Sequence, residues 1–149
     1  MHDIVNNIAV TQLLMPQTIT SSALNTGTVD TLGADIQSFV VLVGNIADTL
    51  SGSVRIDLSI QHADDDGTGN PASFAACDDD DVLNFSGLTS GIFTSVNASG
   101  LKQKRYVIDY IGGLRFVKVI ATPVGLSTGG SIAMLGLQGN LHQLPAVNS

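Results

Sequence analysis

Between Ser53 and His62 the chain alternates without a break. Val54, Ile56, Leu58 and Ile60 take every second position, and Arg55, Asp57, Ser59 and Gln61 take the positions between. Successive side chains on an extended strand point to opposite faces, whereas a helix would scatter this order around its circumference. The stretch therefore reads as a strand with one face buried and one face in water.

The rest of the chain follows the same logic. Ile36–Gly44 is an almost continuous apolar run with β-branched residues, which predicts a central strand buried on both faces. Short strands are expected over Val82–Phe85 and Ile92–Val96, and longer ones over Lys104–Ile111, Leu114–Thr122 and Ser131–His142. Gly112-Gly113 predicts a tight hairpin joining two of these, because paired glycines supply the positive φ such turns require. No segment reads as a helix. Glutamate is absent and lysine scarce, while the chain carries 16 glycines and many Val, Ile and Thr residues. About eight short strands in 149 residues predict one all-β domain, an antiparallel β-sandwich of jelly-roll-like form. Residues 1–18 lack clear periodicity and read either as an N-terminal arm or as an edge strand. The arm reading gives an arm over 1–18 and a single sandwich domain over 19–149.

Charge and cysteine content exclude several classes. The net charge of −7 leaves no basic face for nucleic-acid phosphates. Every basic residue except Arg55 lies between Lys102 and Lys118, an asymmetry that suits either a contact with an acidic partner or an ordinary solvated strand pair. The single cysteine, Cys77, cannot form an internal disulfide, and its acidic neighbours disfavour a thiolate nucleophile. The first residues lack the pattern of a signal peptide and no apolar run is long enough to span a bilayer, so the expectation is a cytosolic, soluble product without a membrane partner, unless it is built into something larger.

Two aspartate clusters stand out, Asp64-Asp65-Asp66 and Asp78–Asp81. The first directly follows the alternating strand and is followed by Gly and Asn, so it reads most simply as a loop tip. A calcium loop of the EF-hand type needs alternating ligands and a distant glutamate, and neither is present. Calcium held by Asp64, Asp65 and Asp66 remains an alternative reading, and otherwise no cofactor is expected. The run Asp78–Asp81 reads as a solvated loop or an acidic contact patch. A glycosidase pair needs two carboxyls at a set separation and usually aromatic platforms, and this chain has no Trp and two Tyr. No zinc-protease, phosphate-loop, nucleophile-elbow or dinucleotide motif occurs, and His2, His62 and His142 read as surface or edge residues. Catalysis is not expected.

Residues 20–146 carry an ordered set of features. These are the Val29-Asp30 step before an apolar strand, the Asp65-Asp66-Gly67 turn, Tyr110 followed by Gly112-Gly113 and Arg115-Phe116-Val117, and a Gly-rich last strand reaching Pro145. In this order they resemble a family of small virion proteins of tailed bacteriophages and prophages, of the capsid decoration or cement kind. The first eighteen residues and `CDDDD` lie outside the pattern. The resemblance implies a jelly-roll-like, non-enzymatic protein that binds the phage major capsid protein on the outside of the head, as a homotrimer. Two contact elements are then expected. One is the N-terminal segment with Ile8, Val10, Leu13 and Leu14, since an arm or edge strand can extend a neighbour's sheet. The other is the basic group Lys102, Lys104, Arg105, Arg115 and Lys118. The alternative is a lectin-like or fibre-associated virion module whose Asp64–Asp66 loop holds calcium.

Overall fold

The computed structural model describes residue 4 and residues 6–142. Pro145 and the terminal segments around it lie outside the described residues. Two antiparallel sheets face each other. One has five strands in the order β1 (Ile8–Ile19), β11 (Gly130–Leu141), β4 (Ala34–Ile46), β9 (Lys104–Tyr110) and β7 (Val82–Leu83). The other runs β2 (Leu24–Asn25), β10 (Phe116–Val124), β5 (Arg55–Ala63) and β6 (Ala75–Ala76), with β3 (Val29–Asp30) also on β10 and β8 (Ile92–Val96) also on β5. The long strands pass back and forth between the sheets, and the last returns beside the first. That is the connectivity of a jelly roll, as the sequence predicted. The described residues contain two single-turn 3-10 helices and no α-helix.

The core forms where the two inner faces meet. β5 contributes Ile56, Leu58 and Ile60, each fully buried, and β10 contributes Val117, Val119 and Ala121. Opposite them stand Phe39, Val41 and Val43 from β4, Ile108 from β9 and Ile132 and Met134 from β11. The alternation read from Ser53–His62 thus holds: its apolar positions face the core, and Arg55, Asp57, Ser59 and Gln61 face outward. Asp57 is nonetheless covered, because Arg55 Nε donates to it at 2.9 Å and the Ser95 hydroxyl at 2.5 Å.

Three expectations need correction. The arm predicted over residues 1–18 becomes, from Ile8 on, the edge strand β1, in register with β11 from Ile8 opposite Gly139 to Ile19 opposite Gly130. Its Ala9, Leu14 and Ile19 are buried, so the domain boundary at residue 18 falls inside a strand. The missing periodicity has a cause in the register shifts on either side of Leu14, near Pro16, where bulges break the two-residue repeat.

Gly112-Gly113 does not make a hairpin, because β9 and β10 lie in different sheets and the segment between them crosses the sandwich. Neither glycine has positive φ. Gly112 is needed for space instead: a Cβ there would stand 2.6 Å from both Asp81 Oδ1 and the Tyr110 hydroxyl oxygen. The third correction concerns β4. Its apolar run predicted burial on both faces, yet Ile36 and Leu42 are exposed and Val40 is half-buried.

Candidate interaction surface

Cross-strand partners in a sheet point to the same side, so the register shows what the outer face of the five-stranded sheet carries. Val10 pairs with Leu137 and Leu137 with Ser38. In the next outward row Gln12, Leu135, Val40 and Val107 lie side by side, and beyond it Ala133, Leu42 and Arg105. Ile8, Gly139 and Ile36 form a further row. Val10, Ile36, Leu42 and Val107 are 37–53% exposed, and Ile8, Val40, Leu135 and Leu137 are half-buried. A shallow groove along this face is lined by Pro16, Leu42, Arg105 and Ala133. The result is a contiguous apolar surface in four strands, with Arg105 and Asp109 at its β9 border. Surfaces of this kind are uncommon on soluble monomers and mark interaction sites.

The outer face of the other sheet differs. Its rows pair Lys118 with Gln61, Ile120 with Ser59, Thr122 with Asp57 and Val124 with Arg55. Lys118 Nζ lies 4.0 Å from the centre of the Phe74 ring, a cation–π contact that holds its charge.

The candidate contact residues divide. Ile8, Val10 and Arg105 share the apolar face, Ile8 and Val10 at its β1 edge and Arg105 at its β9 border. Leu14 is core, and Leu13 is half-buried against the core, so both serve folding and are withdrawn from the contact set. The five basic residues form no single patch. Lys102 Nζ donates to the Ile46 carbonyl at 2.9 Å, and Lys104 stands at the start of β9, opposite Val43, beside Arg105 along the shallow groove. Lys118 belongs to the six-stranded sheet. Arg115 is held between two carboxylates: its Nη2 lies 2.7 Å from Asp30 Oδ2 and its Nη1 bonds Asp65 Oδ2. This pairing raises the guanidinium pKa and lowers that of Asp30. Arg115 is thus a clamp joining the Val29-Asp30 step to the Asp65 turn, two features noted separately in the sequence.

The aspartate loops work mainly as caps. Asp65 Oδ1 accepts from the Gly67 and Gly69 amides at 2.8 and 2.9 Å, and Asp66 Oδ1 accepts from the Thr68 amide at 2.8 Å and its hydroxyl at 2.6 Å. These bonds hold both carboxyls below the ordinary carboxylate range. Asp78–Asp81 is not a plain loop. Asp79–Asp81 makes one 3-10 turn, with Asp78 and Asp81 closing a capping box, while Asp79 accepts from the Gly87 and Leu88 amides.

A different cluster was not anticipated. His62, Cys77 and Asp81 offer ligand atoms that all lie within 4.8 Å of one another, the only group of three or more such side chains among the described residues. Asp64, Asp65 and Asp66 do not form one. Asp81 Oδ1 is 3.7 Å from His62 Nδ1, and the Tyr110 hydroxyl is 3.1 Å from the same nitrogen. Burial, followed by the charges of Asp81 and Asp78, pushes the Cys77 thiol up to about 12. One signal was available in the sequence. His62 continues the parity of Ile56, Leu58 and Ile60, so it faces inward and is no surface histidine. Nothing in a local pattern foretells that Cys77, just past β6, and Asp81, at the end of a 3-10 turn, close on it.

No family model matches the chain, and no curated protein matches it. Among solved structures it is similar to the SPBc2 prophage-derived protein YomS, at 13% identity over 89% of this chain and 92% of that one, with a TM-score of 0.46. It is also similar to a protein of Bacillus endospore appendages, a family of disulfide-linked pili, at 14% identity over 89% and 88% of the two chains, with a TM-score of 0.39. A third likeness is to VP2 of the infectious bursal disease virus subviral particle, at 12% identity over 88% of this chain and 40% of that one, with a TM-score of 0.28.

Proposed function

We propose that this chain is a non-catalytic structural protein of a tailed-phage virion that binds the outer capsid surface and stabilises the head. The observation that carries this reading is the apolar outer face of the five-stranded sheet, from Val10 and Ile36 through Val40, Leu42, Val107, Leu135 and Leu137. Apolar area of this kind gains free energy on leaving water, at about 25 cal/mol per Å². A flat sheet face with one guanidinium at its rim suits a broad protein partner better than a small molecule, which is bound in a concave, enclosed site. The ordered motifs that resemble phage decoration proteins supply the partner, the major capsid protein. Arg105 beside Leu42 supplies a contact for an acidic group on it.

Copies gathered as trimers about the lattice axes would turn a modest single contact into avid binding. The test is co-sedimentation of the purified chain with bare expanded heads and with unexpanded proheads of the phage that encodes it. Saturable binding to expanded heads, at a stoichiometry matching the symmetry axes, is expected. Absence of binding to either would overturn the proposal.

A further inference from the structure

The His62–Cys77–Asp81 cluster lies between β5 of the six-stranded sheet and the start of β7 in the five-stranded sheet, and none of its three side chains belongs to the outward rows of the apolar face. Its members come from three separate elements. His62 is near the end of β5 in the six-stranded sheet, and Cys77 follows the two-residue strand β6. Asp81 closes the 3-10 turn that leads into the two-residue strand β7 of the opposite sheet, and Tyr110 ends β9 beside it. We propose that His62, Cys77 and Asp81 form a structural binding site for a zinc-like divalent transition-metal ion that pins the two sheets together.

Three observations support this. The donor set is one imidazole nitrogen, one sulfur and one carboxylate oxygen, which selects zinc-type ions and disfavours calcium and magnesium, whose ligands are oxygens. The separation of 3.7 Å between His62 Nδ1 and Asp81 Oδ1 is close to that of two ligands on one tetrahedral ion with bonds of about 2.1 Å. Charge also balances, since a thiolate and a carboxylate neutralise a dication in a place where Cys77 is 3% exposed. The Tyr110 hydroxyl, 3.1 Å from His62 Nδ1, stands beside the three as a fourth donor atom. Gly112 keeps the space, because any side chain there would collide with Asp81 and Tyr110.

Binding is a proton exchange. The Cys77 S–H bond breaks, the sulfur forms a bond to the ion, and the proton passes to the buffer. Affinity should therefore rise about tenfold per pH unit through the neutral range, as one proton leaves for each ion bound.

The test titrates the full chain with Zn2+ and, for spectroscopy, with Co2+. One ion per chain, release of one proton, a thiolate-to-Co2+ charge-transfer band and a higher melting temperature in Zn2+ are expected. Cys77→Ser should abolish the band and weaken binding by at least about 100-fold, beyond what loss of an outer-shell partner costs. Asp81→Asn, which keeps an oxygen for the Asp78 amide, should weaken binding while the band persists. Absence of the charge-transfer band from the wild-type chain, or undiminished Zn2+ affinity in Cys77→Ser, would overturn the proposal. The wild-type result decides by itself if either variant fails to fold.

Discussion

The two outer faces of this sandwich are built from the same kind of strand and differ in what they offer. On the six-stranded sheet, β5 alternates between core and solvent, and its outward residues satisfy one another through Arg55, Asp57 and Ser95. On the five-stranded sheet, β4 is apolar on both sides, with Phe39, Val41 and Val43 inward and Ile36, Val40 and Leu42 outward. Folding explains the inward set on both sheets. It does not explain the outward set of β4, whose exposure to water stabilises nothing in the isolated chain. The difference is one of chemistry: one face carries a charged or polar residue in every row, and the other carries a contiguous apolar surface.

The largest expected effect removes the frame behind both faces. Ile132→Ala on β11 or Ile60→Ala on β5 should destabilise the chain by about 2–5 kcal/mol, through lost burial and the cavity left behind. Urea unfolding would measure this, and a loss below 1 kcal/mol would mean that the sheets are less tightly packed than described. A middle-sized effect should separate the faces. Leu42→Lys and Val107→Lys should leave stability within about 0.5 kcal/mol while removing capsid binding. Thr122→Lys, on the other face, should leave both unchanged.

A smaller effect concerns the end of the apolar sheet. Asp48, just past β4, accepts from the Ser127 amide and hydroxyl at 3.0 and 2.6 Å and from the Gly129 amide at 2.5 Å, immediately before β11. Those bonds hold its carboxyl well below the usual carboxylate range. A carboxyl depressed in the folded state contributes stability above its unfolded pKa of about 3.9, and that contribution fades as pH falls further. Asp48→Ala should therefore lower the urea midpoint at neutral pH, and the gap from wild type should narrow steadily below about pH 4. A gap that is constant with pH would show that Asp48 acts by packing alone.

Much of this comparison was legible in the sequence, and the misses have physical causes. The alternation of Ser53–His62 gave β5 its faces because side-chain parity is a local property. The run Ile36–Gly44 gave a central strand, but apolar residues on both sides mean either two layers of the same protein or one layer and a partner, and the chain alone does not distinguish them. Gly112-Gly113 carried turn chemistry, yet whether a turn joins neighbouring strands or crosses between sheets depends on pairings far away in sequence. Arg115, Asp30 and Asp65 were each noticed and their union was not, for the same reason. The metal-ligand cluster combined one readable residue, the inward His62, with two whose positions depend on the chain after β6 and on the 3-10 turn that follows it.

The central claim is that the apolar face of the five-stranded sheet is the contact face. Its most direct test is parallel co-sedimentation of wild type, Leu42→Lys and Thr122→Lys with expanded heads, after urea unfolding has shown equal stability. The account expects wild type and Thr122→Lys to saturate the heads equally and Leu42→Lys to remain in the supernatant. Full binding by Leu42→Lys, or loss of binding by Thr122→Lys alone, would contradict it and move the contact to the six-stranded sheet or to an edge.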